Sequence, residues 1–361
     1  MKNSKNTAPS RAGFKNDSFL RACRKEPTDY TPIWMMRQAG RYLPEYQALR
    51  EKYDFETLYK TPELAVEITL QPVRRFDVDA AIIFSDILVV PEAMGLFLKF
   101  HEGKGPVFSQ PVRSERDIRK LRRLNVAEDL DFVLKAIEWT VEELSGDIPL
   151  IGFSGSPWTL FAYMVEGQGS RTFRWAKSML YEEPERAHRL LELLSDQIAA
   201  YLSAQIAAGA GAVQIFDSWG GLLSPDLYRE FSLAYLKKVI RKLEKGNQPV
   251  IVFAKGVHGG IAGLAESGAD CLSVDWTVHL GHARRLTGGK VALQGNLDPA
   301  VLYARPEVIR KEAENVLRAF GKGNGHVFNL GHGLLPDVDP DHVKILVDFV
   351  REASRPFHET P

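Results

Sequence analysis

The sequence predicts a single (β/α)8 barrel, in which eight parallel strands alternate with helices around a closed sheet. Eight short segments are almost wholly apolar and are followed by turn residues, as is typical of strands buried on both faces. The length of 361 residues suits one such barrel. A doubly wound open sheet is the alternative. The predicted strands are Ile33–Met36, Ala80–Phe84, Leu150–Phe153, Val213–Phe216, Val250–Phe253, Cys271–Val274, Val291–Leu293 and Val327–Leu330.

Helical patterns lie between these strands. Ser224 and Pro225 form an N-cap followed by proline at the first helical position, and Gly321 is a candidate C-cap. Residues 89–120 exceed the usual length of a βα connection, so we expect a small hairpin or lid there. The predicted helices are Pro62–Phe76, Leu130–Leu144, Pro184–Ala208, Pro225–Leu243, Pro306–Phe320 and Pro340–Ala353.

The composition restricts the class of protein. Lys plus Arg and Asp plus Glu both number 46, so the formal net charge is zero, which disfavours a nucleic-acid surface. The two cysteines, Cys23 and Cys271, cannot build a disulfide framework or a four-cysteine zinc site. Without an apolar run of membrane-spanning length or a signal peptide, we expect a cytoplasmic protein with no membrane partner. Residues 1–16 are polar and predict a flexible tail, with the barrel over residues 17–361.

Barrel active sites lie at the carboxyl ends of the strands, and polar residues follow every predicted strand. In chain order these residues are Arg37 and Arg41, Ser85 and Asp86, Ser154 and Ser156, Asp217 and Ser218, Lys255 and His258, Asp275 and Trp276, Gln294 and Asn296, and His332 and Asp337. The predicted rim is therefore rich in cations, carboxylates and imidazoles.

Four of these residues suggest ligand binding or catalysis. Arg37 and Arg41 flank Gly40, and guanidinium groups bind carboxylates through two hydrogen bonds. Asp86 ends an apolar strand, where a carboxylate can stabilise a cation. His332 lies between two glycines and can bind a ligand or transfer a proton. The alternatives are ordinary surface ion pairs for the arginines, a helix cap or an arginine partner for Asp86, and a structural turn for His332.

Other motifs are weaker. Gly152–Ser156 approaches the nucleophile elbow of hydrolases but lacks its final glycine, and Ser156-Pro157 equally predicts a helix N-cap. His279 and His282 have helical spacing but no third metal ligand, so we expect no metal site. Gly321–Gly325 lacks P-loop spacing and predicts a loop.

Several longer segments resemble the uroporphyrinogen decarboxylase family. The resemblance covers residues 16–353 and is most specific in the first two segments. The matching segments are Pro32–Tyr46 (PIWMMRQAGRYLPEY), Asp79–Leu88 (DAAIIFSDIL), Gly152–Leu160 (GFSGSPWTL), Tyr163–Gly167 (YMVEG), Phe216–Ser218 (FDS) and Asn329–Gly333 (NLGHG).

The resemblance implies a barrel that forms a homodimer, needs no cofactor and converts uroporphyrinogen III into coproporphyrinogen III by removing four acetate carboxyl groups. Asp217 replaces the glutamate that some members carry before the serine. By resemblance, the substrate-binding residues are Arg37, Gln38, Ala39, Gly40, Arg41, Arg50, Asp86, Tyr163, Ser218 and His332, with Asp86 and Arg37 as catalytic residues.

These residues suit the chemistry. Loss of carbon dioxide from a pyrrole acetate leaves an electron pair, and a protonated pyrrole ring can accept it. A fixed Asp86 carboxylate would stabilise that ring cation most when it forms. Arg37 is the candidate proton donor, whereas Tyr163, Ser218 and His332 are expected to position carboxylates. Phe84, Phe153 and Phe216 are expected to form apolar walls for the macrocycle.

Two other functions remain open. A zinc-dependent corrinoid methyltransferase shares the barrel fold, but its His-x-Cys zinc pair has no counterpart in His258-Gly259-Gly260. A non-catalytic tetrapyrrole carrier would use the same binding residues without turnover.

Overall fold

The computed structural model describes residues 13–101 and 105–358, in which a parallel sheet forms the centre of the molecule. In these described residues, seven strands follow one another in the order β1-β4-β5-β6-β7-β8-β9, and β2 and β3 form a separate antiparallel hairpin. The strands are β1 Ala81–Ile82, β2 Leu98–His101, β3 Gly105–Phe108, β4 Leu150–Gly155, β5 Ala212–Asp217, β6 Val250–Ala254, β7 Cys271–Ser273, β8 Ala292–Gln294 and β9 His326–Val327.

The eighth position of the barrel is filled by residues 32–36, between β9 and β1. On one side Ile33 forms a parallel bridge with Phe328, whose N–H donates to the Pro32 carbonyl over 2.8 Å. On the other side the Asp79 N–H donates to the Ile33 carbonyl over 2.8 Å. The ring of eight strand positions is thereby closed, which confirms the predicted barrel and excludes the open sheet.

The prediction of a regular first strand over Ile33–Met36 is wrong, because side chains occupy three of its four backbone donors. The Ile33 N–H donates to Asp79 Oδ2 over 2.7 Å, and the Met36 N–H donates to Asn329 Oδ1 over 3.1 Å. The Met35 N–H donates to Gln38 Oε1 over 3.0 Å. Side-chain oxygens therefore replace the carbonyl ladder that defines a strand.

Gln38 completes the wall between the first strand position and β1. Its Nε2 donates to the Ala80 carbonyl over 3.0 Å, so one buried amide joins the backbones of residues 35 and 80. Asp79, also buried, accepts in addition from Tyr30, Asn16 and Arg351 over 2.6–2.8 Å. These contacts tie the start of the barrel to its C-terminal helix.

Helices surround the sheet and bury its outer face. Leu, Ile and Val side chains of the long helices α8 and α11 pack on β4 and β5. The helices are α1 Ser18–Cys23, α2 Pro44–Arg50, α3 Phe55–Lys60, α4 Pro62–Arg75, α5 Val89–Ala93, α6 Glu115–Lys120, α7 Val126–Asp129, α8 Asp131–Leu144, α9 Pro157–Glu166, α10 Arg174–Glu182, α11 Pro184–Ala207, α12 Pro225–Tyr228, α13 Ala234–Lys242, α14 Ile261–Leu264, α15 Leu280–Leu286, α16 Pro306–Phe320 and α17 Pro340–Ala353. Short 3₁₀ helices cover Gly220–Leu222, Pro299–Tyr303 and Arg355–Phe357.

A second, smaller core fills the inside of the barrel. Small side chains such as Ala80, Ala212 and Ala292 line the end of the barrel at which the strands begin, and Phe19 of α1 packs among them. The short helix α1 therefore closes the end of the barrel at which the strands begin, and the opposite end is left for ligands.

The predicted helices agree closely with the structure, with one exception. Ser224 caps α12 and Gly321 ends α16 with φ 81°, as predicted. The predicted helix Pro225–Leu243 is interrupted by a π-helical segment, Arg229–Leu233. This segment turns Ser232 towards the buried Asp217, 2.7 Å away. The hairpin predicted within residues 89–120 is formed by β2 and β3.

The predicted tail lies largely outside the described residues, which begin at residue 13. Its last residues are attached to the barrel, since the Lys15 and Asn16 N–H groups donate to the carbonyls of Gly146 and Asp147 over 2.8 and 3.0 Å. Among the described residues, no helix combines the length and the apolar character that crossing a membrane requires.

Replacing Gln38 with Ala is expected to destabilise the barrel. The change would leave the buried Met35 N–H and Ala80 carbonyl without partners, and each such group costs about 1–3 kcal/mol. We expect the free energy of unfolding, measured by urea denaturation, to fall by about 2–4 kcal/mol. The exposed Gln168→Ala serves as control and should change it by less than about 0.5 kcal/mol. Equal effects of the two changes would contradict the role of Gln38 in closing the barrel.

Candidate active site

Arg37 lies at the carboxyl end of the first strand position with its backbone in the left-handed region, at φ 62°. Non-glycine residues adopt this conformation rarely, and at a cost that the surrounding structure must offset. Its side chain crosses Gly333: a Cβ built on Gly333 would lie 2.3 Å from Arg37 Cδ. The backbone turn and the glycine together direct the guanidinium over the mouth of the barrel.

The Arg37 side chain reaches solvent although many protein atoms surround it, as expected on the wall of a water-filled cleft. This crowding lowers the pKa of Arg37, and the positive charge of Arg41 lowers it further, whereas Tyr163 and Asp86 raise it. Arg37 is therefore a better proton donor than an isolated guanidinium, and the charges of Arg41, Tyr163 and Asp86 all act on it.

Asp86 follows β1 and is largely buried. Its Oδ1 accepts the Leu88 N–H over 2.8 Å, which fixes the carboxylate at the start of α5. Burial raises the pKa of Asp86 to about 6; Glu92 adds to the rise, and the Leu88 N–H and Arg37 oppose it. The carboxylate is thus ionised at neutral pH but poorly solvated, and a cation placed beside it would be strongly stabilised.

His332 follows the last strand and contacts the ring of Phe253 edge-on, with 5.9 Å between ring centroids. Burial lowers its pKa to about 4, and the charges of Arg37 and Lys255 contribute to this shift. The imidazole is therefore neutral near pH 7 and can both donate and accept a hydrogen bond.

Aromatic rings form the walls of the cleft. Phe153, Phe216 and Phe253 make successive edge-to-face contacts, with centroids 5.6 and 6.0 Å apart. Tyr163 packs edge-on against Trp219 at 6.2 Å. Phe84, for which the sequence predicted a similar place, packs instead against Tyr46 and Phe55 of α2 and α3, at 5.7 and 5.9 Å.

A buried polar cluster around Asp217 positions two of the predicted binding residues. Asp217 is fully buried and accepts hydrogen bonds from Ser156 (2.7 Å), Thr159 (3.2 Å) and Ser232 (2.7 Å), while burial raises its pKa. Ser156 caps α9, the helix that carries Tyr163, and Ser218 directly follows Asp217. The motif around Ser156 is thus a helix N-cap that is hydrogen-bonded to the neighbouring strand β5. In the sequence, only the Ser156-Pro157 pair indicated this cap.

The remaining predicted residues occupy different places. Gln38 uses its side chain in the barrel wall, so that side chain is not free to bind a ligand. Ala39 and Gly40 form the turn after Arg37, and Gly40 approaches the Arg37 carbonyl closely. Arg41 and Arg50 lie together in an open groove of about 390 Å³, whose lining residues are Arg41, Tyr46, Gln47, Arg50, Glu51 and Pro336.

The cations around this mouth lack carboxylate partners. Within residues 13–101 and 105–358, Arg37, Arg41, Arg50 and Lys255 form no ion pair, although ion pairs are frequent elsewhere on the surface. The charges of these four cations thus stay available to the carboxylates of a polyacidic ligand. Lys255 was not among the predicted binding residues.

The described residues contain no cluster of three or more His, Cys, Asp or Glu side chains that could hold a metal ion. His258, at the position compared with the zinc pair of methyltransferases, contacts Thr277 Oγ1 at 2.7 Å and lies 3.7 Å from Asp275. The described site therefore provides carboxylate-binding groups and proton carriers but no set of metal ligands.

Solved structures share the fold at low sequence identity. A methyltransferase from Methanosarcina mazei superimposes with a TM-score of 0.78 at 21% identity and covers 94% of this chain and 99% of that one. A B12-independent methionine synthase from Shewanella sp. W3-18-1 has a TM-score of 0.56 at 13% identity, with 84% and 91% covered. At these identities the likeness concerns the fold alone.

Sequence relatives are far closer. A family model described as uroporphyrinogen decarboxylase (URO-D) matches residues 14–353. The uroporphyrinogen decarboxylase of Cellvibrio japonicus (strain Ueda107) is 53% identical over 350 residues, 96% of this chain and 98% of that protein. The uroporphyrinogen decarboxylase of Nitrosococcus oceani is 54% identical over 352 residues, 96% of this chain and 99% of that protein. This chain therefore belongs to the uroporphyrinogen decarboxylase family.

Proposed function

We propose that this chain converts uroporphyrinogen III into coproporphyrinogen III by removing the carboxyl groups of four acetate side chains, without a cofactor. The observation that carries the proposal is that two kinds of group occur together at the mouth of the barrel. One is the poorly solvated carboxylate of Asp86, and the other is the guanidinium groups of Arg37 and Arg41, which form no ion pair within the described residues. The arginines suit the acid groups of such a substrate, and Asp86 suits its ring nitrogens. Family membership supports the same reaction.

Each of the four steps needs one proton and one electron sink. A pyrrole ring of the substrate takes up a proton and becomes a cation, and the C–C bond to the acetate carboxyl group then breaks. The bonding electrons pass into the ring cation, carbon dioxide leaves, and the exposed methylene carbon takes a proton to become a methyl group. The ring returns its own proton, so each step consumes one proton overall.

Asp86 stabilises the cation in this scheme. Its ionised carboxylate accepts hydrogen bonds from pyrrole N–H groups, and the attraction strengthens as the ring becomes positive. Because protein atoms crowd the carboxylate, little solvent has to be reorganised when the charge develops. The transition state is therefore stabilised more than the ground state.

Arg37 is placed to supply protons and to orient the reacting acetate. The charges of Asp86 and Tyr163 act on its guanidinium, and crowding makes it more acidic than a solvated arginine. Neutral His332 and the hydroxyl groups of Tyr163 and Ser218 are suited to hydrogen bonds with carboxylates that do not react. The phenylalanines Phe153 and Phe216 pack against the apolar faces of the macrocycle.

Two finer proposals rest on the family resemblance. We propose that the protein is cytoplasmic and that it forms a homodimer, and the exposed aromatic side chains Phe97, Trp175 and Tyr181 are consistent with a contact surface. Sedimentation velocity at micromolar concentration would show a species of twice the monomer mass. A monomer over the whole concentration range would contradict the dimer.

The direct test is a decarboxylation assay with chemically reduced uroporphyrinogen III and purified protein treated with a chelator. We expect four equivalents of carbon dioxide and a four-carboxyl product, identified by chromatography after oxidation. Binding without any loss of carboxyl groups would instead favour a tetrapyrrole carrier. Activity that disappears with chelation and returns only with zinc would favour the metal-dependent alternative.

Asp86→Asn is expected to reduce activity and increase stability. The pKa of Asp86 is raised to about 6, so the folded protein binds a proton more tightly than the unfolded chain does. Ionisation of Asp86 therefore lowers the free energy of unfolding. This penalty is absent at low pH, grows as the pH rises towards about 6, and is complete above that pH. Relief of the penalty should increase the free energy of unfolding by up to about 3 kcal/mol at pH 8 but by only about 1 kcal/mol at pH 4.5.

The same variant should lower kcat at least about 100-fold, because Asn carries no charge to stabilise the ring cation. In the unmodified protein, kcat/KM should fall as the pH drops below about 6, where Asp86 becomes protonated. The exposed Asp226→Asn is the control and should change both activity and stability little. An active, destabilised Asp86→Asn would contradict the catalytic role and favour a structural one.

Gly333→Ala is expected to displace Arg37 without unfolding the barrel. The added methyl group would overlap the Arg37 Cγ, Cδ and Nε atoms, and a flexible stem can move aside. Since misplacement of a catalytic group by about 1 Å can cost about 100-fold, kcat/KM should fall about 10- to 100-fold. The control Gly259→Ala lies on the same face, and its methyl group meets no atom within 4 Å. Equal kinetics of the two variants would show that Gly333 does not position Arg37.

A further inference from the structure

Lys255 follows β6 at the side of the barrel opposite the arginines. In the ring of eight strand positions, residues 32–36 are the first and β6 is the fifth, so they face each other across the barrel. Arg37, Arg41 and Arg50 all lie on the chain that follows the first position. The three arginines therefore place their positive charge on one side of the mouth.

The backbone of Lys255 is fixed on both sides. Its N–H donates to the Asp217 carbonyl over 3.3 Å, and its carbonyl accepts the Gly221 N–H over 2.9 Å. The side chain is half-buried, and Nζ lies 6.0 Å from the centroid of the Trp276 ring. Trp276 stays 37% exposed at the rim, so the ammonium group is held next to an aromatic surface at the cleft and not released into solvent.

The acidic residue that follows the neighbouring strand β7 does not neutralise Lys255. Asp275 is buried and accepts hydrogen bonds from the Gly256 N–H and from both the N–H and the hydroxyl group of Thr277. His258 lies 3.7 Å from the same carboxylate. Within the described residues Asp275 forms no ion pair with Lys255, whose charge stays available to a ligand.

The charge of Lys255 also acts on the cleft itself. Lys255 and Arg37 both lower the pKa of His332, although they come from opposite sides of the barrel. His332 follows the eighth strand position, next to the first, and packs on Phe253, an inward-facing residue of β6. The two cations therefore face the same space.

We propose that Lys255 is a further substrate-positioning residue, which binds a carboxylate on the edge of the macrocycle facing away from Arg41 and Arg50. This inference rests on the proposed function. A cyclic polyacid carries carboxylates around its whole edge, and cations on one side alone would leave the far carboxylates without a partner. Lys255 supplies that partner, and Trp276 covers the adjoining edge of the ring.

Lys255→Met, Lys255→Arg and the control Lys311→Met test the proposal in the full-length enzyme. Lys311 is exposed on α16, outside the barrel, so its replacement removes the same charge far from the cleft. Because a charge-assisted hydrogen bond is lost, KM for uroporphyrinogen III should rise about 10- to 100-fold in Lys255→Met, with a smaller change in kcat. Lys255→Arg should restore most of the affinity, and Lys311→Met should match the unmodified enzyme.

Two further measurements separate binding from a structural effect. The dependence of KM on salt should weaken in Lys255→Met, because one ion pair with the substrate is missing. In the ligand-free protein, the NMR-measured pKa of His332 should rise in Lys255→Met and stay unchanged in Lys311→Met. An unchanged His332 pKa together with a KM within twofold of the unmodified enzyme would overturn the proposal.

Failure of the proposed function would be recognised separately. Binding of uroporphyrin, the oxidised eight-carboxyl ring, can be followed by fluorescence without turnover. If the unmodified enzyme releases no carbon dioxide but Lys255→Met still binds uroporphyrin at least tenfold more weakly, the function is wrong and the role of Lys255 stands. If turnover is normal and uroporphyrin binds equally to both proteins, the role of Lys255 is wrong.

Discussion

The closure of the barrel at its first strand position determines where the reactive groups lie. Residues 32–36 form only one bridge, and the wall is completed by the side chains of Gln38, Asp79 and Asn329. Because a side chain from residue 38 returns to bond residue 35, the chain must turn sharply at once. Arg37 lies at that turn in a left-handed conformation, so the contacts that close the sheet also aim a guanidinium at its mouth.

Charge at the mouth follows from burial as much as from residue type. Burial favours the neutral form of both Asp86 and His332. It raises the pKa of the Asp86 carboxyl group to about 6 and lowers the pKa of the His332 imidazole to about 4. Near pH 7 the cleft thus holds one desolvated carboxylate, a neutral imidazole and several unpaired cations. This combination attracts a polyacid and stabilises a cation formed within it, at a cost in stability that falls on Asp86.

The fold was predictable where apolar patterns are strong. The strands at residues 150, 213 and 250 and the helices Pro306–Phe320 and Pro340–Ala353 agree with the structure to within two residues. The irregular first strand was not predictable, because side chains far away in sequence accept hydrogen bonds from its backbone N–H groups, as Asn329 does from Met36. The π-helical segment Arg229–Leu233 was equally hidden, since it forms around the contact between Ser232 and Asp217, which no local pattern encodes.

The amino-acid sequence by itself determined the barrel, the family and most of the polar residues at the mouth, because strand periodicity and long motifs are local properties of the chain. Only the tertiary structure decided their individual roles. It placed the Gln38 side chain in the wall, put Phe84 in an outer aromatic cluster, and put Lys255 after the strand position opposite that of Arg37. These outcomes depend on burial, on distances between strands and on which charges lack a partner, and such quantities exist only once the chain has closed on itself.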